Sequence, residues 1–177
     1  MQHNSKSFFL SLLLTTIILI MSEILVSTLF PLIGLTDFRI SFVTVIVLYL
    51  AFYYNNILIA PLIAYFYLIH GVFSLEHWSL GALSTLVVSI IISFLRNLIH
   101  LNSYFVTFVF VQLFQILIFI FNSSLMSIKV GSFKFLGGSL TLFILESLLI
   151  SALSPFVFGL LKKIWSIQGE DIEEAGI

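Results

Sequence analysis

Two acidic side chains stand inside long apolar stretches of this sequence, where a charge is costly to hold. Glu23 lies within the run from Phe8 to Ile33, and Glu146 lies within the run from Phe135 to Leu161. An ionisable group inside a membrane is expensive unless it is paired or neutralised, so it commonly serves a function. Two interpretations remain open. Each acid faces the interior of a helix bundle or a partner protein, or it is a packing residue that is hydrogen-bonded or near the membrane edge.

Other polar side chains accompany these acids at helical spacing. Gln112 and Gln115 lie one turn apart, and their amides need hydrogen-bond partners in a medium without water. We therefore predict that both glutamines form hydrogen bonds between helices. Hydroxyl side chains share a helical face with each acid, namely Thr16 and Ser27 with Glu23, and Ser139 and Ser154 with Glu146.

The composition determines which kind of protein must position these groups. The mean hydropathy is +1.22, 60% of the residues are apolar and only 8% are charged, against about a quarter charged in soluble domains. The chain is therefore predicted to dissolve in a bilayer. Seven basic residues against eight acidic ones leave no surplus for binding nucleic acid, and the lack of cysteine excludes disulfides and thiolate chemistry.

Six apolar runs are candidate transmembrane helices, since about 20 apolar residues cross a hydrocarbon core of about 30 Å. We predict one all-α, polytopic domain over residues 1–177, with a single bundle of about six spans. The second run is the shortest and forms either a short span or a re-entrant hairpin. The runs are Phe8–Ile33, Ile40–Tyr54, Ile57–Phe73, Leu80–Ile99, Tyr104–Phe121 and Phe135–Leu161.

The charges flanking the runs predict the orientation of the chain. Lys162 and Lys163 form a basic stop beside Trp165, and basic residues with an interfacial tryptophan favour the cytoplasmic headgroup level. Both termini are therefore predicted to be cytoplasmic, and residues 166–177 form a solvated acidic tail. The short segments between runs leave no room for an extramembrane domain.

A row of small or polar residues follows the fourth run at four-residue spacing. Such a row lets another helix approach closely, so this helix is predicted to face protein rather than lipid. A polar ligand pathway is the functional alternative. The row consists of Gly81, Thr85, Ser89, Ser93 and Asn97. In the third run, Ala60 and Ala64 repeat the spacing beside Pro61, which is predicted to kink that helix.

The residues needed for catalysis are not grouped in this sequence. The two aspartates, Asp37 and Asp171, lie outside the runs, and no nucleophile has a base at suitable spacing. His70 and His77 flank a loop that also carries Glu76, but three ligands at a flexible edge are a weak metal signal. We expect no enzyme activity, no cofactor and no metal. A lipid-modifying enzyme that uses Glu146 as a base would lack a partner residue for it.

The pattern of runs resembles the rod shape-determining MreD family, a small polytopic component of the bacterial cell-elongation machinery. The resemblance lies in Leu25–Gly34, Leu48–Ala51 and Ser79–Leu83. It is most specific in Leu149–Ile164, where a proline is followed by an apolar run and a basic stop. The sequence departs from the family where Ile40-Ser41 replaces a common Pro-Asp pair, and where an acid late in the third helix is absent, with His70 nearby.

The resemblance implies a fold like that of the six-helix substrate-binding components of energy-coupling vitamin transporters. It also implies a location in the bacterial cytoplasmic (inner) membrane, among lipid and three protein partners: MreC, MreB, and the peptidoglycan synthase formed by RodA with its transpeptidase. The predicted function is a non-enzymatic scaffold that binds partner transmembrane helices laterally, without a small-molecule ligand. The alternative is a substrate-binding subunit of a vitamin-type transporter, with Glu23, Glu146, Gln112 and the tyrosines lining its pocket.

Overall fold

A computed structural model describes residues 5–32, 34, 40–54, 59–74, 78–96, 98–99, 101, 103–131 and 135–165. Within these ranges all regular secondary structure is α-helix, which confirms the predicted all-α class. The helices are α1 (Ser5–Leu32), α2 (Phe42–Tyr53), α3 (Ile59–Phe73), α4 (Trp78–Leu95), α5 (Tyr104–Val130) and α6 (Phe135–Trp165).

Three of the described helices are long and apolar enough to cross a membrane. Their qualifying stretches are Phe8–Leu32 in α1, Tyr104–Val130 in α5 and Leu140–Trp165 in α6. The other three helices are apolar but shorter. Six membrane crossings therefore remain a prediction, whereas three helices of sufficient length are a property of the fold.

The shortest helix, α2, forms the axis of the molecule. Every residue from Val43 to Ala51 is buried, and α2 contacts all five other helices. Those five form a closed ring in the order α1, α3, α4, α5, α6, in which each helix contacts its two neighbours. A helix that is apolar on every face is expected to be enclosed in this way. The second run is thus a helix of 12 residues, about 18 Å long, inside the ring.

One end of the bundle is closed by the first turns of α1 and the last turn of α6. Trp165 is only 5% exposed, and its Nε1–H donates to Thr15 Oγ1 at 3.0 Å. The rings of Phe8 and Tyr54 lie edge-on against the indole, and Ser11 donates its hydroxyl to the Ile164 carbonyl at 2.9 Å. The sequence predicted Trp165 as an interfacial anchor, but its indole is enclosed by the bundle because Thr15 supplies a buried acceptor.

Two prolines of the apolar runs lie where the missing backbone N–H is either compensated or not needed. Pro155 cannot donate to the Ser151 carbonyl one turn earlier, and the Ser154 hydroxyl donates to that carbonyl instead, at 2.7 Å. Pro61 lies in the first turn of α3, where the backbone N–H has no partner in the helix. A proline in a first turn removes no helical hydrogen bond, so within the described part of α3 this position gives no cause for the predicted kink.

Candidate functional site

A cavity of about 280 Å³, lined by apolar and polar side chains, lies on the axis of the bundle at the end opposite Trp165. It exists because α2 begins only at Phe42, so that the ring of longer helices encloses space beyond its N terminus. Ile40, Ser41 and Thr44 line the cavity from that terminus. All six helices contribute side chains or backbone to the lining, and one contributor from each is Glu23, Thr44, His70, Gly81, Gln115 and Glu146.

The first predicted site residue, Glu23, is paired in this cavity. Its Oε1 lies 2.8 Å from His70 Nδ1, and the two residues are only 5% and 8% exposed. The Tyr67 ring stands edge-on to the imidazole, with ring centroids 6.2 Å apart. The pair joins α1 to α3 and gives the acid the buried partner that its position in an apolar run requires. Ser27, on the same face of α1, also lines the cavity, whereas Thr16 is hydrogen-bonded to Tyr65 at 3.1 Å.

The row of small residues on α4 begins at the cavity wall. Gly81 lies under the Tyr67 ring, so that an added Cβ would meet Tyr67 Cε1 at 2.6 Å. Thr85 Oγ1 and Tyr67 Oη are hydrogen-bonded at 2.7 Å, and Ser89 is buried. Ser93 is exposed, in contrast to the predicted protein-facing row. The reason is geometric, since each four-residue step rotates the row by about 40° around the helix. Asn97 lies outside the described residues.

The two glutamines of α5 have different environments. The Gln112 amide donates to Ser147 Oγ at 3.0 Å and accepts from Ser151 Oγ at 2.8 Å, so it links α5 to α6. Gln115 lines the cavity and is 4% exposed, but its Nε2 has no hydrogen-bond partner among the described residues. Glu146 reaches the same cavity from α6, where it is half-buried. The structure thus brings Glu23, Glu146 and Gln115 together and places Gln112 outside the lining.

The partner of Glu23 was missed at the level of sequence. His70 stood out as part of a weak metal grouping with His77 and Glu76, both outside the described ranges, and as the residue near an absent family acid. In the part of the chain that the structure describes, no three His, Cys, Asp or Glu side chains are placed to hold a metal ion. The direction of the helices was the one signal for this contact in the sequence. In an alternating bundle the first and third runs are parallel, which brings their later halves to the same end. The Ser139 side chain also lies outside the described residues.

Comparison with known proteins identified no relative of this chain. No model of a known protein family matches this chain, and neither a curated protein nor a solved structure matches it. The class of protein is therefore defined by the fold and the site. It is a helical bundle in which three helices are long and apolar enough to cross a membrane. The cavity at one end is lined by two carboxylates, a histidine and the Gln115 amide, whose nitrogen has no hydrogen-bond partner among the described residues.

Proposed function

We propose that this protein is a non-enzymatic membrane scaffold subunit of the bacterial cell-elongation machinery, with a role in rod shape and peptidoglycan synthesis like that of the MreD family. In this role it lies in the cytoplasmic membrane with six crossings and both termini in the cytoplasm. Its partners are the periplasmic shape protein MreC, the filament protein MreB, and RodA with its transpeptidase. The fold would resemble the substrate-binding components of energy-coupling vitamin transporters.

The observation that supports a lateral scaffold is the distribution of polar and apolar side chains. On the long helices several hydroxyl groups are buried inside the bundle, namely those of Ser11, Thr15, Ser147 and Ser154, each 1% exposed or less. Large apolar side chains cover the outside instead. On α1 these include Phe9, Leu13, Ile17, Met21 and Ile24. The outer surface of such a bundle can pack against lipid tails or against the transmembrane helix of another protein.

Partner binding on this surface depends on close packing, because lipid tails are as apolar as leucine and give no hydrophobic advantage. Of the three long helices, α1 is the least covered by the rest of the bundle. We therefore assign the exposed face of α1 as the first surface to test. Leu13→Trp and Ile17→Trp would enlarge that face without touching the core. The control is Leu113→Trp on the exposed side of α5, which is matched in chemistry and exposure. Val47→Trp cannot serve as a control, because Val47 is buried on the enclosed helix α2.

Depletion of the protein in its native host tests the proposal. We expect rod cells to become round, and tagged protein to lose the single-span periplasmic partner when Leu13 and Ile17 are both replaced by tryptophan. Wild-type protein and the Leu113→Trp variant should restore the rod shape. An unchanged shape after depletion in a rod-shaped host would contradict the scaffold function. Restoration by every variant would instead exclude the α1 face as the binding surface.

The cavity favours a second candidate function, a small-molecule-binding membrane subunit of a transporter. Its specific support is Gln115, a buried amide donor that lines the cavity without a partner among the described residues. Purified protein that retains a vitamin-type compound, or binds one below micromolar concentration, would favour this function over the scaffold. Protein that carries no such compound, together with round cells after depletion, would favour the scaffold.

A further inference from the structure

We infer that the cavity is a binding site for a small organic molecule with a carbonyl oxygen at one end, a second hydrogen-bonding group at the other end and an apolar body between them. This inference rests on the second candidate function and specifies the chemical class of its ligand. It is independent of the scaffold function, because the cavity lies on the axis of the bundle and the proposed partner surface lies on the outside of α1.

Two buried polar atoms in the cavity wall carry the inference. Gln115 Nε2 and Ser74 Oγ both belong to residues that line the cavity, and neither atom has a hydrogen-bond partner among the described residues. A buried polar group without a partner costs free energy, which a ligand recovers when it supplies the missing hydrogen bond. Ligand pockets typically combine an apolar wall with a few polar groups of this kind.

The two atoms lie at different levels of the cavity. The helices α3 and α5 run in the same direction, because α4 returns between them in the ring. Among the described lining residues, Gln115 is the first along α5 and Ser74 is the last along α3. Gln115 therefore marks the inner end of the cavity and Ser74 its outer end. The lining of α5 continues from Gln115 to Asn122, which is about 10 Å of helix.

The wall between these two levels limits the body of the ligand. Phe119 and Phe143 stack across α5 and α6 with centroids 4.0 Å apart, and Val26 and Ile118 also line the cavity. A volume of about 280 Å³ is at the lower end of the range for ligand pockets, which begins at about 300 Å³. A single ring with one short polar group at each end matches this space.

The inner group of the ligand must be an acceptor, because an amide nitrogen can only donate. Gln115 is 4% exposed, so few positions other than the cavity are open to a partner for its Nε2. The first turn of α2 lies at the same wall, where Ser41 makes no side-chain cap, and the N–H groups of a first turn have no acceptor within their helix. A carbonyl oxygen accepts two hydrogen bonds and suits this end. The Ser74 hydroxyl can donate or accept, so a hydroxyl or an amide suits the outer end.

Three uncharged probes test the inference by calorimetric titration of the full chain in nanodiscs, with empty nanodiscs as the blank for partition into lipid. The first, 4-(hydroxymethyl)benzamide, has both polar groups. The second, 4-methylbenzamide, lacks the hydroxyl, and the third, 4-methylbenzyl alcohol, lacks the carbonyl. We expect loss of the carbonyl to weaken binding about tenfold and loss of the hydroxyl to weaken it about fivefold, because each leaves one buried group of the protein without a partner.

Two variants assign the contacts. Gln115→Met should weaken both amides about tenfold and leave 4-methylbenzyl alcohol unchanged, because it removes only the donor for the carbonyl. Ser74→Ala should weaken the two probes with a hydroxyl about fivefold and leave 4-methylbenzamide unchanged. Ser124→Ala is the matched control, since Ser124 is exposed and donates to its own helix. Unfolding midpoints measured without probe identify any variant that fails to fold, and Gln115→Leu or Ser74→Gly then takes its place.

The outcomes separate this inference from the function on which it rests. A preference for the probe with both groups that depends on Gln115 and Ser74 supports it. Equal binding of the three probes, or unchanged binding of the amides by Gln115→Met, overturns the ligand class but leaves a small-molecule-binding function. Absence of binding by all three probes also overturns the ligand class, whereas the second candidate function fails only if the purified protein carries no vitamin-type compound either. The scaffold function is unaffected by each of these results.

Discussion

Glu23 and His70 form a buried polar contact between α1 and α3. Glu23→Leu would leave the imidazole nitrogen without its partner at 2.8 Å, and such a loss costs about 1–3 kcal/mol. We expect the free energy of unfolding to fall by that amount. Glu23→Gln should cost less than half as much, because an amide can still form the hydrogen bond. Denaturant titration in mixed micelles measures both values.

A double-mutant cycle separates this contact from the packing of the two side chains. If the hydrogen bond accounts for the loss, Glu23→Leu combined with His70→Leu costs less than the sum of the two single substitutions. Strictly additive losses would show that the two side chains contribute independently, despite their short separation.

Position 81 requires glycine because a side chain there would contact the Tyr67 ring, and not because of its backbone conformation. A Cβ at this position would lie 2.6 Å from Cε1 and 2.9 Å from Cδ1 of Tyr67, which is itself buried and hydrogen-bonded to Thr85. The ring cannot move freely, so Gly81→Ala should destabilise the protein by about 1–3 kcal/mol, as overpacking does in other cores. Unfolding in micelles measures the change.

Gly159 provides the matched control for that substitution. It is also helical, and no atom lies within 4 Å of a Cβ built there. Gly159→Ala should therefore stabilise the protein by up to roughly 1 kcal/mol through helix propensity alone. Equal effects at Gly81 and Gly159 would mean that the Tyr67 contact does not restrict position 81.

At the scale of elements, α6 contains a proline whose missing N–H is compensated by one hydroxyl. Ser154→Ala would leave the Ser151 carbonyl without a donor in the interior of the bundle. We expect a loss of about 1–3 kcal/mol in the free energy of unfolding. In a Pro155→Ala background the restored backbone N–H can donate to the same carbonyl, and the loss should fall below half. An identical loss in both backgrounds would contradict this compensation.

The lengths of the helices show what an apolar run can and cannot predict. The fifth run was predicted to end at residue 121, but α5 continues to Val130 through a polar stretch. Within that stretch Ser124 and Ser127 donate their hydroxyls to the carbonyls of Ile120 and Ser123, and the helix ends where Gly131 adopts a left-handed φ of 69°. Hydropathy detects apolar composition, whereas the glycine cap, whose backbone N–H donates to the Ser127 carbonyl, determines the helix end.

The ring around α2 explains why the cavity was less predictable than the helices. The need of Glu23 for a partner follows from its own sequence position, but the identity of that partner depends on α1 lying beside α3 in the ring. Glu23 and His70 are 47 positions apart in the sequence, and the periodicity of neither run predicts a contact between them. The cavity in turn depends on two properties of α2. The sequence indicated that α2 is shorter than its neighbours, but it did not indicate that α2 lies at the centre of the bundle.

The enclosure of α2 leads to a prediction for the whole molecule in a bilayer. A lipid-soluble diazirine reagent inserts into side chains that face hydrocarbon, so it should label exposed residues such as Leu13 on α1 and Leu113 on α5. Residues Val43–Ala51 should remain unlabelled in the native protein and become labelled after unfolding in dodecyl sulfate. Labelling of α2 in native membranes would contradict a closed ring and indicate a lipid-exposed second span.

The orientation of the molecule is testable because the chain has no cysteine, so that a single introduced thiol is the only one present. Lys129 lies at the end of α5 and Lys162 near the end of α6, and both are exposed. With both termini in the cytoplasm, a membrane-impermeant maleimide should label Lys129→Cys in intact cells and Lys162→Cys only after permeabilisation. The reverse pattern would invert the molecule and turn the cavity toward the cytoplasm. Labelling of both thiols in intact cells would place them on the same outer side and exclude an odd number of crossings between them.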